Sequence, residues 1–183
     1  MAQEIQRGEG QENMKVKVEA LREEGIDEFF EVFEKAMRTT CGFYSKRVIN
    51  YFLGRIYTKE SFLKRLQGKV QVVFLGLIGG RIAGFLVADS PYGGVAFCRW
   101  LGVLKEHQKK GAGKELVDEW IKWAKKKRCH RVQAASVLPA VRFYEKCGLK
   151  KEGLTKKGYF GIDQYRMGKV VGEVDETSFT SLG

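Results

Sequence analysis

The chain has 183 residues, 44% of them apolar and 30% charged, and its 33 Lys and Arg against 22 Asp and Glu give a net charge of +11. That length suits one domain around one core, and 12% aromatic residues exclude wholesale disorder. No stretch approaches the roughly 18 apolar residues of a membrane span, and the polar first 13 residues lack the apolar run of a secretion signal, so a soluble, cytoplasmic protein is expected.

Residues 15–20 alternate charge with Val16 and Val18, the period of a half-buried strand. Residues 26–37 place Ile26, Phe29, Phe30, Phe33 and Met37 at helical spacing, with Asp27 and Glu28 at the dipole-favoured start. A second helical stretch over 46–66, broken near Gly54 and Thr58, buries Phe52, Ile56, Phe62, Leu63 and Leu66. Two apolar runs, 70–78 and 81–88, flank Gly79-Gly80, a hairpin signal. Residues 94–104 read as a further strand, 114–127 as an amphipathic helix, 131–137 as a strand and 139–146 as a short helix. Two strands joined by a turn at Lys156-Lys157-Gly158 fill 149–170. The order β α α β β β α β α β β predicts an α/β fold, a mixed, mostly antiparallel sheet with helices on both faces.

The two ends are read as weakly ordered tails, 1–13 and 171–183, flanking a single domain over 14–170. The net +11 is made of −2 and −3 on these ends and +16 on the domain, so the positive excess sits on the folded part. Cys41, Cys98, Cys129 and Cys147 are widely scattered, and His107 and His130 are the chain's two histidines, which weighs against zinc or a disulfide framework; no metal is expected. The run Lys122 to Arg131 could pass for a nucleic-acid patch with Trp123 as a stacking base platform. A solvated helix end with Trp120 or Trp123 on its packed face is the simpler account.

The stretch Leu101-Gly102-Val103-Leu104-Lys105-Glu106-His107-Gln108-Lys109-Lys110-Gly111-Ala112-Gly113-Lys114 joins a strand to the amphipathic helix. Its glycines allow successive N–H groups to converge at the helix start, where the dipole favours phosphate, and Lys109, Lys110 and Lys114 add counter-charge. It is neither a Walker loop nor a dinucleotide turn. About 30 residues on comes Val137-Leu138-Pro139-Ala140-Val141-Arg142-Phe143-Tyr144-Glu145-Lys146-Cys147-Gly148-Leu149. In this order the two segments resemble the GNAT superfamily of acyl-CoA-dependent N-acetyltransferases. The first is similar to its pyrophosphate loop, R/Q-x-x-G-x-G/A, and the second to its A-x-x-F-Y-x-K-x-G-F/L helix.

The resemblance covers about residues 15–170 and implies the family's fold, with a splayed parallel strand pair. It implies acetyl-CoA as cosubstrate and transfer to a primary amine by direct attack. Leu101, Gly102 and Val103 would polarise the acetyl carbonyl, Lys109, Lys110, Gly111, Ala112, Gly113 and Lys114 would hold the pyrophosphate, and Tyr144 would protonate the departing thiolate. Two departures matter. Val137 stands where many members carry a cofactor-contacting Asn, and residues 95–100 contain no carboxylate to serve as base. Asp89, Glu106, His107 and Asp163 are the candidate bases.

The resemblance implies an acceptor that is a protein N-terminus or lysine, or a small amine such as a polyamine, amino acid or aminoglycoside. Phe43, Tyr44, Tyr51, Tyr57, Tyr159 and Phe160 are the residues available to line its site. The resemblance also admits a homodimer; neither membrane nor nucleic acid is an expected partner. The missing carboxylate and Val137 leave open a non-catalytic reading, a CoA sensor or a basic nucleic-acid module.

Overall fold

The computed structural model describes residues 15–177. One seven-stranded sheet, in the order β1-β2-β3-β4-β5-β7-β6, divides the molecule. β1 (Lys17–Ala20), β2 (Gln71–Ile78), β3 (Arg81–Asp89) and β4 (Val95–Val103) form three successive antiparallel pairs. β4 then pairs in parallel with β5 (Arg131–Ser136), and β7 (Gln164–Val170) lies antiparallel between β5 and the edge strand β6 (Lys150–Thr155). The β2–β3 turn is the expected one, with Gly79 at φ 58° and Gly80 at φ 77°, a left-handed pair that β-branched residues resist.

On one face lie α1 (Ile26–Thr40), α2 (Lys46–Tyr51) and α3 (Lys59–Gln67). α1 buries Ile26, Phe29, Phe33 and Met37 of the stripe its spacing predicts, with Ala36 added and Phe30 only half-buried, and Phe29 and Phe33 meet Phe62 and Phe85 with ring centroids 4.9 to 5.6 Å apart. Such aromatic pairs contribute about 0.5–1.5 kcal/mol each beyond their buried area. The break expected near Gly54 is instead a continuous widening of the helix into a π-turn over Phe52–Ile56, while Thr58 caps α3, its hydroxyl accepting from the Ser61 N–H at 3.2 Å. A π-turn re-aims side chains without ending the helix, and it places Phe52 against both Tyr159 and Trp100.

On the other face, α4 (Ala112–Lys126) buries Leu116, Val117, Trp120, Ile121 and Ala124, and α5 (Leu138–Lys146) buries Val141 and Tyr144. Trp120 is the packed tryptophan and Trp123 is half-buried against Phe74. The weakly ordered tail expected over residues 1–13 lies outside the described residues. Of the C-terminal stretch, Val171 N–H donates to the His130 carbonyl at 2.8 Å and Asp175 pairs with Arg128. Among the described residues no helix is long and apolar enough to cross a membrane, no group of His, Cys, Asp and Glu is placed to hold a metal, and all four cysteines are free thiols.

Candidate active site

The site begins with a fault in β4. Val87 of β3 faces Trp100 and Ala88 faces Cys98, so Arg99 is an extra residue, a β-bulge. One inserted residue reverses the alternation of faces. Ala96 and Cys98 point into the α4–α5 core, but Trp100 packs into the α1–α3 core and Leu101 returns to the α4–α5 side. β4 and β5 pair only from Val95↔Arg131 to Cys98↔Ala134. Beyond the bulge the two strands part and their facing edges are left open.

A cavity of about 970 Å³ occupies this gap and passes through the sheet, since Tyr44 and Tyr57 from one core and Phe143, Tyr144 and Cys147 from the other line it together. The Leu104 N–H donates to the Ala83 carbonyl at 2.9 Å, and the alternation of an antiparallel ladder then turns the Gly102 amide to β3 and the Leu101 and Val103 amides toward the gap. Gly102 has a different part. A Cβ there would lie 2.6 Å from the Phe85 ring, so the strand can take this course only with a hydrogen at that position. The Gln108 side chain donates to the Val103 carbonyl at 3.2 Å and ties the following loop to the strand.

At one end of the cavity Gly111, at φ 90°, starts α4 with no side chain capping it. The first-turn N–H groups of Ala112, Gly113 and Lys114 therefore point outward with the positive end of the helix dipole behind them. Lys109 and Lys114 line the cavity, and Lys114 also pairs with Asp118 one turn on; Lys110 is not on the cavity wall. Arg142 and Lys146 are, although the sequence reading passed over them. Their spacing of four on α5 was the available signal. This end is thus a cationic seat with free amides.

Tyr144, 5% exposed, reaches the gap from α5 and lies beside Cys98 where β4 leaves β5, the Cys98 thiol itself donating to the Trp100 carbonyl at 3.6 Å. Burial, reinforced by Cys98, holds its phenol well above 10, so it stays protonated and can act as a donor. Burial also pushes the Cys98 thiol up to about 12 and the Cys147 thiol to about 11. Thiols held protonated are poor nucleophiles. In native protein at pH 7.5, Cys98 and Cys147 are expected to stay unlabelled by iodoacetamide while the guanidinium-unfolded chain reacts at both; mass spectrometry showing rapid native labelling of Cys98 would reopen a covalent role.

Of the four candidate bases, three are engaged elsewhere. Asp89 holds Arg99 and accepts from Gln71, Glu106 pairs with Lys35 of α1, and Asp163 accepts from the Lys157 N–H. His107 lines the cavity, with Nδ1 buried and lacking a hydrogen-bond partner among the described residues. At the end away from α4 the walls are Phe43, Tyr44, Tyr57, Phe97, Trp100 and Tyr159. Tyr51 and Phe160 lie outside that wall, Phe160 packing on Phe52. Burial raises Tyr44 to about 12 and raises Tyr159, which lies beside Tyr57, so the Tyr44 and Tyr159 phenols are neutral near pH 7.

Comparison with known proteins agrees with this geometry. No curated protein matches the chain in sequence. By structure it is similar to the PaiA N-acetyltransferase of Thermoplasma acidophilum, crystallised with coenzyme A, at 23% identity and a TM-score of 0.72, covering 86% of this chain and 99% of that one. It is similar also to the ribosomal-protein-S18-alanine N-acetyltransferase of Escherichia coli, at 15% identity and a TM-score of 0.67, over 88% and 97% of the two chains. Ard1 of Thermoplasma volcanium follows at 16% identity and 0.65, over 86% and 99%. Residues 50–149, which contain the bulged strand, the uncapped helix start and the Tyr144 helix, match the Acetyltransferase (GNAT) family. The chain belongs to the GNAT acetyltransferases, enzymes that use acetyl-CoA as cosubstrate.

Proposed function

We propose that the chain transfers an acetyl group from acetyl-CoA to a primary amine by direct attack, and that the acceptor is a protein N-terminus or lysine. The observation that carries this reading is the parted β4–β5 edge, with two inward amides between an uncapped helix start and a buried phenol. The thioester supplies the activated acyl group; everything else falls to residues of the chain. Ala112 to Lys114 donate N–H groups to the pyrophosphate, while Lys109, Lys114, Arg142 and Lys146 offset its charge. The open edges of β4 and β5 can pair with an extended, amide-bearing arm as a third strand would. Leu101 and Val103 direct N–H groups at the oxygen on which charge develops when the amine adds. Tyr144 gives its proton to the departing sulfur, and His107 takes one from the amine. The raised Cys98 and Cys147 pKa values favour transfer without an acyl-enzyme.

A polypeptide acceptor is supported by the rim. Phe43 and Tyr159 are 37% and 38% exposed at the cavity mouth and offer a chain segment an aromatic surface. The test is acetyl-CoA turnover, read as free thiol release, with a panel of N-terminal and lysyl peptides alongside spermidine and an aminoglycoside. Transfer to at least one peptide is expected. No turnover on any amine, with no acetyl-CoA binding by calorimetry, would remove the enzyme reading.

A further inference from the structure

We infer that the acceptor end of the cavity selects an amine that carries a carboxylate close by, and that Arg99 is the residue that pairs with that carboxylate. The inference rests on the acetyl-transfer reading and narrows its substrate class.

The charge on the cavity wall is one-sided. Among the described residues no Asp or Glu lines it. Four of its cations, Lys109, Lys114, Arg142 and Lys146, belong to the α4 start and to α5, whose Phe143 ring abuts Gly113, and they face the polyphosphate seat. At the other end Arg99 is the charged residue, set among Phe97, Trp100, Tyr57 and Tyr159. An acceptor with several ammonium groups, such as a polyamine or aminoglycoside, therefore meets no carboxylate to hold it and a guanidinium that repels it.

The bulge explains how Arg99 comes to stand there. As the extra residue of β4 it lies outside the regular alternation, directly before Trp100. Asp89 is not part of the wall, so it holds the guanidinium from outside, accepting from Arg99 Nε at 3.1 Å and from Nη2, and is itself fixed by Gln71. The Phe97 ring supports the guanidinium face, 4.8 Å from its centroid. Asp89 takes two of the five N–H donors of an arginine, and a planar fork so anchored is preorganised for a second carboxylate. Arg99 precedes Leu101 by two residues, about 7 Å along a strand. A carboxylate on the first or second residue of an N-terminal segment, or on a free acidic amino acid, lies within that reach of the reacting amine.

The experiment compares kcat/KM for matched peptides differing only at the second residue, Glu, Ala or Lys, with free glutamate and spermidine as further arms, in wild type and in Arg99→Gln and Arg99→Glu. Binding of the same compounds to the CoA-loaded protein is measured by calorimetry, so selectivity is read even where no turnover occurs. The expected result is a preference for Glu over Lys of roughly five- to tenfold, the size of a half-exposed ion pair, carried mainly in KM. It should shrink as salt rises from 50 to 500 mM, approach unity in Arg99→Gln and reverse in Arg99→Glu. The wild-type ratio and its salt dependence need no folded variant. Free glutamate accepted as well as the Glu peptide makes the source an amino acid; the peptide favoured makes it a polypeptide. Spermidine or the Lys peptide accepted as well as the Glu peptide overturns the inference, as does a ratio unchanged by Arg99→Gln. Carboxylate-selective, Arg99-dependent binding without any acetyl transfer keeps the inference and removes the enzyme reading.

Discussion

Tyr144→Phe is expected to lower kcat about 100-fold or more, the contribution of a positioned general acid, while cofactor affinity stays within about twofold. The split follows from where the hydroxyl sits. It touches Cys98 at the point where β4 leaves β5, not the uncapped start of α4 that is proposed to seat the phosphates. The pH profile sharpens the test. Burial holds the phenol above 10, so Tyr144 is protonated throughout pH 6–9 and cannot set an alkaline limb in that range. The Phe variant should therefore trace a curve parallel to wild type and displaced downward. Loss of one buried hydroxyl contact costs stability of about 1 kcal/mol, too little to unfold the domain, and a melting curve separates that from lost chemistry. Turnover retained in full from pH 6 to 9 would take Tyr144 out of the acid role.

The elements that sequence disclosed are those written in local periodicity. Phe29, Phe33 and Met37 fixed one helix face, Gly79-Gly80 a hairpin, and Pro139 with Gly148 the ends of a short helix. The order of strands and helices then followed, and the loop and tyrosine helix pointed to the family. Three features lay beyond that reach. The bulge at Arg99 has no local signature, because a period of two places Ala96, Cys98 and Trp100 on one face until the pairing with β3 is known to pass over Arg99. The π-turn at Phe52–Ile56 is specified by packing on Trp100 and Tyr159, residues distant in the chain. The contact of Tyr144 with Cys98 joins two segments only through the parallel pairing of β4 and β5. Each is a tertiary event, and each shapes the site. The seat at α4 was legible because a helix start is local; Arg99 as a wall residue was not, because the bulge put it there.

Gly102→Ala should be the most damaging single-methyl change in the molecule's central strand. Its Cβ would stand 2.6 Å from Phe85 Cζ and 2.9 Å from Cε1, distances at which something must move. The ring cannot swing aside at little cost. Phe85 is 2% exposed and wedged between Phe29 and Phe33, with centroids 5.6 and 5.2 Å away. Overpacking of this kind costs about 1–3 kcal/mol, and the strain is relieved either in the aromatic core or by displacing β4. The second route would carry the Leu101 and Val103 amides away from the gap, so kcat should fall along with the melting temperature even though Gly102 turns its own amide to β3. Phe85→Leu alone leaves a void and costs about 1–2 kcal/mol. Combined with Gly102→Ala it makes room for the added methyl, and the double variant is expected to be more stable than the sum of the two losses by about 1 kcal/mol. Denaturant unfolding of the four proteins measures that coupling. Additive losses would mean that the alanine methyl is accommodated without touching Phe85, and that the close approach of β4 to this ring is not what requires glycine.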